Sequence, residues 1–312
     1  MPPPRWSRRR FLGYAGTAAA ALHRPLSPAV AAAQAPASPR MLTRAIPSSG
    51  EALPVVGVGT WLNFDVAPGS ADYQRLPGVL DALFAAGGTV IDSSPMYRRA
   101  EQTTGELLAA RTPRPPAFLA TKVWTSGRDA GIAQMEQSFR LLRATRVDLM
   151  QVHNLLDWRT HLATLRQWKQ QGRVRYIGIT HYTAASYPEV EAVLKAEPLD
   201  FLQINYALDD RAAEQRVLPL AHDRGVAVLV NMPFGGGGLL RRLRGRPLPG
   251  WAAEAGAVSW AQLALRFVLG HPAITCVIPG TGNPQYMAEN AAAGAARPLT
   301  EAERRELVAV AG

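Results

Sequence analysis

The sequence has very little cysteine and very little lysine, and it lacks any long apolar run. Cys276 is the only cysteine among 312 residues, which excludes an internal disulfide framework. No apolar stretch is long enough to cross a bilayer, so we expect no stable membrane span. Lysine occurs only three times among 34 basic residues, at Lys122, Lys169 and Lys195. An arginine-rich chain that keeps a lysine can be using its compact ammonium for a purpose that a guanidinium does not serve.

The chain carries a formal charge of +10, and half of this excess lies near the N-terminus. Residues 1–35 contain five arginines and no acidic residue, whereas the rest of the chain holds 29 basic and 24 acidic residues. No block of Lys and Arg alternates with aromatic residues in that remainder. This distribution argues against nucleic acid as a partner.

The N-terminal residues are typical of an export signal. The stretch SRRRFLG, residues 7–13, precedes a short alanine-rich run, and the triplet AQA at 33–35 offers a small-x-small cleavage site. Paired arginines before a Phe-Leu dipeptide indicate a twin-arginine signal. We therefore expect residues 1–35 to be a signal peptide read by the twin-arginine export machinery, and the mature protein to be periplasmic or secreted. The alternative is an arginine- and proline-rich tail without regular structure.

Short apolar segments alternate with amphipathic stretches of helical length from about residue 45 onward. There are eight such segments, and each is nearly continuous in apolar residues, as in parallel strands buried on both faces. They span residues 55–61, 89–94, 118–124, 147–153, 175–181, 200–206, 226–232 and 274–280. This count predicts an α/β fold, a (β/α)8 TIM barrel formed as a single domain by residues 36–312. Residues 44–57 predict an N-terminal β-hairpin that plugs the barrel floor, and a short C-terminal tail is expected after the last strand.

Polar side chains follow the predicted strands at their carboxyl ends, which is where a barrel of this kind carries its chemistry. These strand-end residues are Thr60, Trp61, Asp92, Lys122, His153, Thr180, His181, Gln203, Asn231, Pro279, Gly280 and Thr281. Asp92, Lys122 and His153 end three successive strands. The register therefore places a carboxylate, an ammonium and an imidazole around one mouth.

These groups suit proton transfer to an oxygen. Asp92 and Lys122 are expected to form an ion pair, because a desolvated ammonium is costly without a carboxylate. Tyr97 lies five residues beyond Asp92, and we expect the Lys122 charge to lower its pKa from about 10 toward neutrality. Such a phenol exchanges a proton with an alkoxide, and His153 is placed to orient the same oxygen. The arrangement suits reversible carbonyl reduction, given a hydride donor.

Several motifs in fixed order resemble the aldo/keto reductase family, over about residues 42–312. They are GVGTW (57–61), GGTVIDSSPMYRRAEQTTGELL (87–108), ATKVW (120–124), RVDLMQVHN (146–154), GRVRYIGIT (172–180) and VIPGTGNPQYMAEN (277–290). The resemblance implies a catalytic tetrad of Asp92, Tyr97, Lys122 and His153, without a metal. It also implies that a nicotinamide delivers hydride to an aldehyde or ketone, or removes it from an alcohol.

The resemblance further implies a dinucleotide site, with NADP(H) as the family default. Carried over by position, Thr180 and Gln203 would hold the nicotinamide carboxamide, and Glu289 with Asn290 would face the adenine. The loop 232–246 would cover the pyrophosphate. Glycines in this loop, which include Gly235 and Gly237, let backbone N–H groups approach phosphate, and Arg241 and Arg242 could add charge.

The chain departs from the family in this site. His181 stands where the family usually has an asparagine, and Asn231 stands where an aromatic residue stacks on the nicotinamide, unless Phe234 takes that role. The segment GTGNPQY, residues 280–286, lacks the basic residues that hold the 2′-phosphate of NADP, although Thr281 and Asn283 offer a hydroxyl and an amide that could bind either form of the cofactor. An unpaired 2′-phosphate loses charge-assisted hydrogen bonds worth about 1.5–3 kcal/mol each, so NAD(H) stays open as the cofactor.

Two other functions stay open at this point. The departures at His181 and Asn231 also fit a barrel that binds the cofactor, or a partner, with little or no turnover. A strand-end lysine such as Lys122 is also found in aldolase-like barrels that form a Schiff base, although a neighbouring Asp92 favours the protonated, non-nucleophilic amine.

Overall fold

The computed structural model describes residues 40–311. The predicted signal peptide, residues 1–35, lies outside the described residues. Among those described, no helix is both long and apolar enough to cross a membrane.

Eight parallel strands form one continuous sheet in chain order. They are β3 (Val58–Gly59), β4 (Val90–Asp92), β5 (Phe118–Val123), β6 (Val147–His153), β7 (Val174–Thr180), β8 (Phe201–Asn205), β9 (Ala227–Asn231) and β10 (Ile274–Val277). Parallel bridges from Val56 to Val277 and from Gly59 to Gly280 join the last strand to the first, which closes the sheet. The predicted (β/α)8 barrel is confirmed, and each strand falls within one of the eight apolar segments or within one residue of it.

Helices alternate with these strands and cover the barrel. They are α1 (Ala71–Ala85), α2 (Ala100–Ala109), α3 (Arg128–Leu141), α4 (Trp158–Gln170), α5 (Tyr187–Ala196), α6 (Val217–Asp223), α7 (Gly238–Leu243), α8 (Trp260–Leu269), α9 (Pro284–Ala293) and α10 (Glu301–Ala311). Three of these helices have N-cap side chains: Ser70, Ser259 and Asn283 accept hydrogen bonds from backbone N–H groups at the starts of α1, α8 and α9. The predicted C-terminal tail contains α10.

The predicted hairpin is present and closes the barrel floor. β1 (Thr43–Ala45) pairs antiparallel with β2 (Ala52–Pro54). Ile46 and Leu53 from this hairpin are at most 1% exposed, and they pack inside the barrel with residues such as Phe118 and Phe201. The bottom of the barrel is therefore filled by apolar side chains, and the opposite end is left for chemistry.

Strand register aligns the functional side chains. Gly59 pairs with Asp92 between β3 and β4, Lys122 with Gln151 between β5 and β6, and His153 with Thr180 between β6 and β7. All of these positions lie at the carboxyl ends of their strands. The register thus brings residues that are distant in sequence to the same mouth.

Candidate active site

An ion pair between Asp92 and Lys122 lies at the centre of the mouth. Lys122 Nζ donates to Asp92 Oδ1 at 2.6 Å and to the Ser93 carbonyl at 2.7 Å. The second carboxylate oxygen, Oδ2, accepts from Gln203 Nε2 at 2.8 Å and from Gln151 Nε2 at 3.4 Å. Asp92 is 2% exposed and Lys122 is fully buried. The pair satisfies the hydrogen-bonding groups that make a buried charge tolerable.

This environment keeps Lys122 protonated. Burial lowers the pKa of its ammonium, but Asp92 and Tyr97 raise it more, and the resulting pKa is above the ordinary value. The side chain also does not line the cavity described below. A Schiff-base role needs a neutral amine that a substrate can reach, and Lys122 offers neither.

Tyr97 is held above the ion pair by a short 3₁₀ turn, Pro95–Tyr97. The Ser94 hydroxyl caps this turn by accepting from the Met96 backbone N–H at 3.3 Å. Lys122 Nζ lies 5.1 Å from the centroid of the Tyr97 ring. The His153 ring lies 5.9 Å from that ring, nearly perpendicular to it at 84°. The structure thus brings the four predicted catalytic residues together.

The predicted pKa of Tyr97 is wrong in direction. Burial raises the pKa of the phenol above its ordinary value of 10, and the Asp92 charge raises it further, while Lys122 lowers it only in part. Because the ammonium is already paired with a carboxylate, its effect on the pKa of the phenol is partly offset, and burial outweighs the remainder. Tyr97 is therefore a protonated phenol at neutral pH, ready to donate rather than to accept a proton.

His153 is a neutral imidazole. Burial, together with the nearby Lys122 charge, lowers its pKa from 6.5 to about 2. Its Nδ1 lies 3.0 Å from the Ser94 hydroxyl. The side chain is 5% exposed, and it faces the cavity beside Tyr97. It can therefore bind a substrate oxygen as a neutral hydrogen-bonding group.

A cavity of about 780 Å³ opens above these residues. Asp92, Tyr97 and His153 line one part of it. The predicted cofactor residues that also line it are Thr60, Trp61, Thr180, Gln203, Asn231, Phe234, Gly237, Gly280, Thr281, Glu289 and Asn290. The cavity therefore extends from the catalytic group to α9.

Four predicted cofactor residues do not line the cavity: His181, Gly235, Pro279 and Asn283. The His181 imidazole turns toward its own chain, where Nδ1 accepts from the Tyr182 N–H at 3.0 Å. The Pro279 carbonyl accepts from Gly59 in the barrel closure, and the Asn283 side chain caps α9. His181, Pro279 and Asn283 therefore each make a contact that stabilises the end of a strand or a helix.

The glycines 235–238 follow β9 and lie between the cavity and an ion pair of Asp209 with Arg242. At Gly235, whose φ is +54°, an added Cβ would lie 2.9 Å from the Asp209 carboxylate, and that carboxylate binds Arg242 at 2.6 Å. Arg241 is exposed, and its Nη1 lies 3.3 Å from the position of a Cβ on Gly237. Of the two arginines considered for the pyrophosphate, Arg242 is therefore paired with Asp209, and Arg241 lies next to the cavity.

Some residues of the site were not predicted from the sequence. Leu62, Asn63, Met96, Asn154 and Tyr182 all line the cavity. They lie in loops beyond the strand ends, one to four residues past residues that were predicted, so a wider window around each strand end would have included them. The contacts of Ser94 with His153 and of Gln151 with Asp92 join residues 59 positions apart, and no local pattern indicates them.

The cavity fits the nicotinamide dinucleotide that the motifs imply. Asn154 Oδ1 and Asn231 Oδ1 are buried acceptors without a hydrogen-bond partner among residues 40–311, and both residues line the cavity. Buried acceptors of this kind are normally satisfied, so they suit a ligand that carries donors, such as an amide NH2. Thr180, Gln203 and Asn231 would hold the nicotinamide end, and Gly237 with Arg241 would hold phosphate.

Known proteins with related sequences and structures are oxidoreductases. The chain is 28% identical to methylglyoxal reductase YeaE of Escherichia coli over 81% of its own length and 89% of that protein. It is 24% identical to the NADH-specific methylglyoxal reductase of the same organism, over 76% and 89% of the two lengths. An aldo-keto reductase from Klebsiella pneumoniae in complex with NADPH superposes with a TM-score of 0.71 at 26% identity, over 86% of this chain and 95% of that one.

The family model described as "Aldo/keto reductase family" matches residues 55–311, which includes all eight barrel strands and the four catalytic residues. The motifs, the closed barrel and the tetrad geometry agree with this match. The chain belongs to the aldo/keto reductase family and is a nicotinamide-dependent oxidoreductase.

Proposed function

We propose that this protein reduces small aldehydes or ketones with NADH as the preferred hydride donor. The convergence of Tyr97 and His153 on one wall of the cavity, with the Lys122–Asp92 pair adjoining Tyr97, is the observation that carries the proposal. Methylglyoxal is the first substrate to test, because two of the relatives are named for its reduction.

Tyr97 supplies the proton in this mechanism. A nicotinamide held by Thr180, Gln203 and Asn231 would supply hydride for the carbonyl carbon. Tyr97 then donates its phenolic proton to the carbonyl oxygen, which becomes the alcohol oxygen. The Lys122 ammonium stabilises the phenolate that remains, and Asp92 holds that ammonium in place.

His153 orients the carbonyl oxygen. It faces the cavity beside the Tyr97 ring, and its low pKa keeps it neutral, so it does not compete as a proton donor. A hydrogen bond from a neutral imidazole to the substrate oxygen strengthens as negative charge develops there. The two rings thereby have separate tasks: one transfers the proton, and the other positions its acceptor.

The charges around the cavity favour NADH over NADPH. Among residues 40–311, the cavity lining includes two carboxylates, Asp92 and Glu289, and no lysine or arginine. Along α9 it presents Tyr286, Glu289 and Asn290 instead of a cation. A 2′-phosphate there would lack charge-assisted hydrogen bonds of about 1.5–3 kcal/mol each, whereas a ribose hydroxyl can be met by neutral or acidic groups.

The direct test is to titrate NADH and NADPH into the purified full chain by fluorescence, and then to follow NADH oxidation with methylglyoxal and with a panel of small aldehydes and ketones. We expect tighter binding of NADH and turnover that depends on Tyr97. Binding without turnover on the whole panel would support the alternative, a cofactor-binding barrel with little catalysis. Absence of binding to both nucleotides would refute the function.

We further propose that the folded barrel is exported by the twin-arginine route. Support comes from the sequence of residues 7–13, and from the single cysteine, because Cys276 leaves no thiol pair to be oxidised outside the cytoplasm. In a bacterial host with a periplasm, the full chain should be recovered from the periplasmic fraction. The double variant Arg8→Lys/Arg9→Lys should stay in the cytoplasm, while Arg5→Lys, outside the motif, should still be exported. Equal distribution of the three proteins would reject export by this route.

A further inference from the structure

We propose that Ser94 is a positioning residue that fixes the tautomer of His153, so that the imidazole presents Nε2–H to the substrate oxygen. This inference rests on the proposed function for its catalytic meaning. Ser94 was not among the predicted site residues, although it ends the predicted segment 89–94. It is assigned by its contacts.

Hydrogen bonds around Ser94 determine which atom carries each proton. Ser94 is fully buried, and its Oγ accepts from the Met96 backbone N–H at 3.3 Å. The other polar contact of this hydroxyl is His153 Nδ1 at 3.0 Å. If Nδ1 carried a proton, Oγ would receive two donors, and its own O–H would be left buried with no acceptor among the described residues. A buried donor without a partner costs about 1–3 kcal/mol.

The reverse arrangement satisfies every group. The Ser94 O–H donates to Nδ1, the Met96 N–H donates to Ser94 Oγ, and the single imidazole proton sits on Nε2. Burial and the Lys122 charge exclude the doubly protonated ring at neutral pH. The hydrogen bond that the His153 side chain makes within residues 40–311 is through Nδ1, and the residue lines the cavity, so Nε2 is left for a ligand. The Nε2–H tautomer therefore satisfies the hydrogen bonds of Ser94 and also offers an N–H donor to a carbonyl oxygen in the cavity.

Ser94 also caps the turn that carries Tyr97, and this second role must be separated from the first. Loss of the cap would disturb Tyr97 whatever the state of His153. Loss of tautomer control would act only through the imidazole. A double-mutant cycle between Ser94 and His153 distinguishes the two, since residues that act as a unit give non-additive losses.

The experiment is ¹⁵N NMR of the histidine side chains in the full chain and in Ser94→Ala, with His153→Ala used to assign one signal among the six histidines. We expect the wild-type ring to be the neutral Nε2–H tautomer, and Ser94→Ala to give a mixture. Carbonyl reduction should fall about tenfold in kcat/KM in Ser94→Ala, the loss expected for one hydrogen bond, and should fall little further when the same change is made in His153→Ala. Thr164→Val removes a buried hydroxyl from α4, away from the cavity, and serves as the matched control.

Three results would overturn the inference: an Nδ1–H tautomer in the wild-type protein, an unchanged ring in Ser94→Ala, or losses that add fully in the double variant. The NMR readout needs no turnover. If the protein shows the expected tautomer but reduces no carbonyl, the proposed function is refuted and the role of Ser94 stands. If the protein is active but shows the Nδ1–H tautomer, the role of Ser94 is refuted and the proposed function stands.

Discussion

Lys122 Nζ lies 2.6 Å from Asp92 Oδ1, and both side chains are almost completely withdrawn from water. The ammonium that adjoins Tyr97 is therefore half of a neutral pair. This relationship explains why the phenol stays protonated: burial raises its pKa, and the charges of Lys122 and Asp92 act on that pKa with opposite signs. The site is consequently arranged to release a proton in the reductive direction.

Tyr97→Phe should nearly abolish carbonyl reduction without weakening nucleotide binding. Removal of a general acid typically lowers the rate by about 10²–10⁴-fold, and the phenyl ring preserves the packing against His153. Turnover and NADH fluorescence titration measure the two effects separately. Tyr187→Phe removes a buried hydroxyl on α5, outside the cavity, and should leave the rate unchanged. Equal activity of the two variants would show that Tyr97 is not the proton donor.

The pH profile of carbonyl reduction should be flat through the neutral range and fall only in strong alkali. Tyr97 must be protonated to donate, so activity is present below its pKa and is lost as pH rises through that pKa, which is raised above 10. His153, with a pKa of about 2, adds no inflection near 6.5. The measurement is kcat/KM for the carbonyl against pH. A loss of rate centred near neutrality would mean that the Lys122 charge outweighs burial at Tyr97.

Breaking the buried ion pair on one side should cost more stability than removing both charges. Lys122→Met leaves the Asp92 carboxylate buried with amide donors alone, a change worth about 3–5 kcal/mol in the free energy of unfolding. The double variant Asp92→Asn/Lys122→Met removes the uncompensated charge and should recover most of that loss. Urea unfolding measures both. Arg305→Met, which breaks an exposed pair with Glu301, is the control for loss of an ion pair as such. Additive destabilisation by the two changes would contradict the prediction.

Gly282→Arg should shift the cofactor preference toward NADPH. The atoms nearest to a Cβ at this position belong to Asn63, at the ordinary contact distances of 3.7–3.8 Å, so a side chain can be added beside the cavity. One charge-assisted hydrogen bond to a 2′-phosphate is worth about 1.5–3 kcal/mol, or roughly ten- to a hundredfold in NADPH affinity. NADH affinity should change little, and fluorescence titration reports both. Gly250→Arg adds the same charge where no atom lies within 4 Å of the Cβ, outside the cavity lining. A similar gain in both variants would indicate a general charge effect.

Much of this architecture follows from sequence pattern alone. Alternation of apolar and amphipathic segments predicts the barrel, because buried parallel strands tolerate few polar residues before their ends. The same constraint makes Asp92, Lys122 and His153 conspicuous, and the structure brings them together with Tyr97. The order of the strands in the sheet follows as well, because each strand pairs with the next one along the chain.

What sequence could not supply are the quantities that depend on three-dimensional surroundings. The direction of the Tyr97 pKa depends on how deeply the phenol is withdrawn from water, and the sequence indicates its neighbours but not its burial. The Ser94–His153 contact depends on a turn that folds back across the mouth. The His181 ring does not line the cavity, because its Nδ1 accepts from the Tyr182 backbone N–H. The sequence does not indicate this hydrogen bond.

The hairpin beneath the strands also determines how molecules enter and leave. Because Ile46 and Leu53 fill the lower end of the barrel, cofactor and substrate would both have to enter from the carboxyl ends of the strands. Two aliphatic side chains that do not line the cavity thereby restrict access to the end of the barrel where Tyr97 and His153 lie.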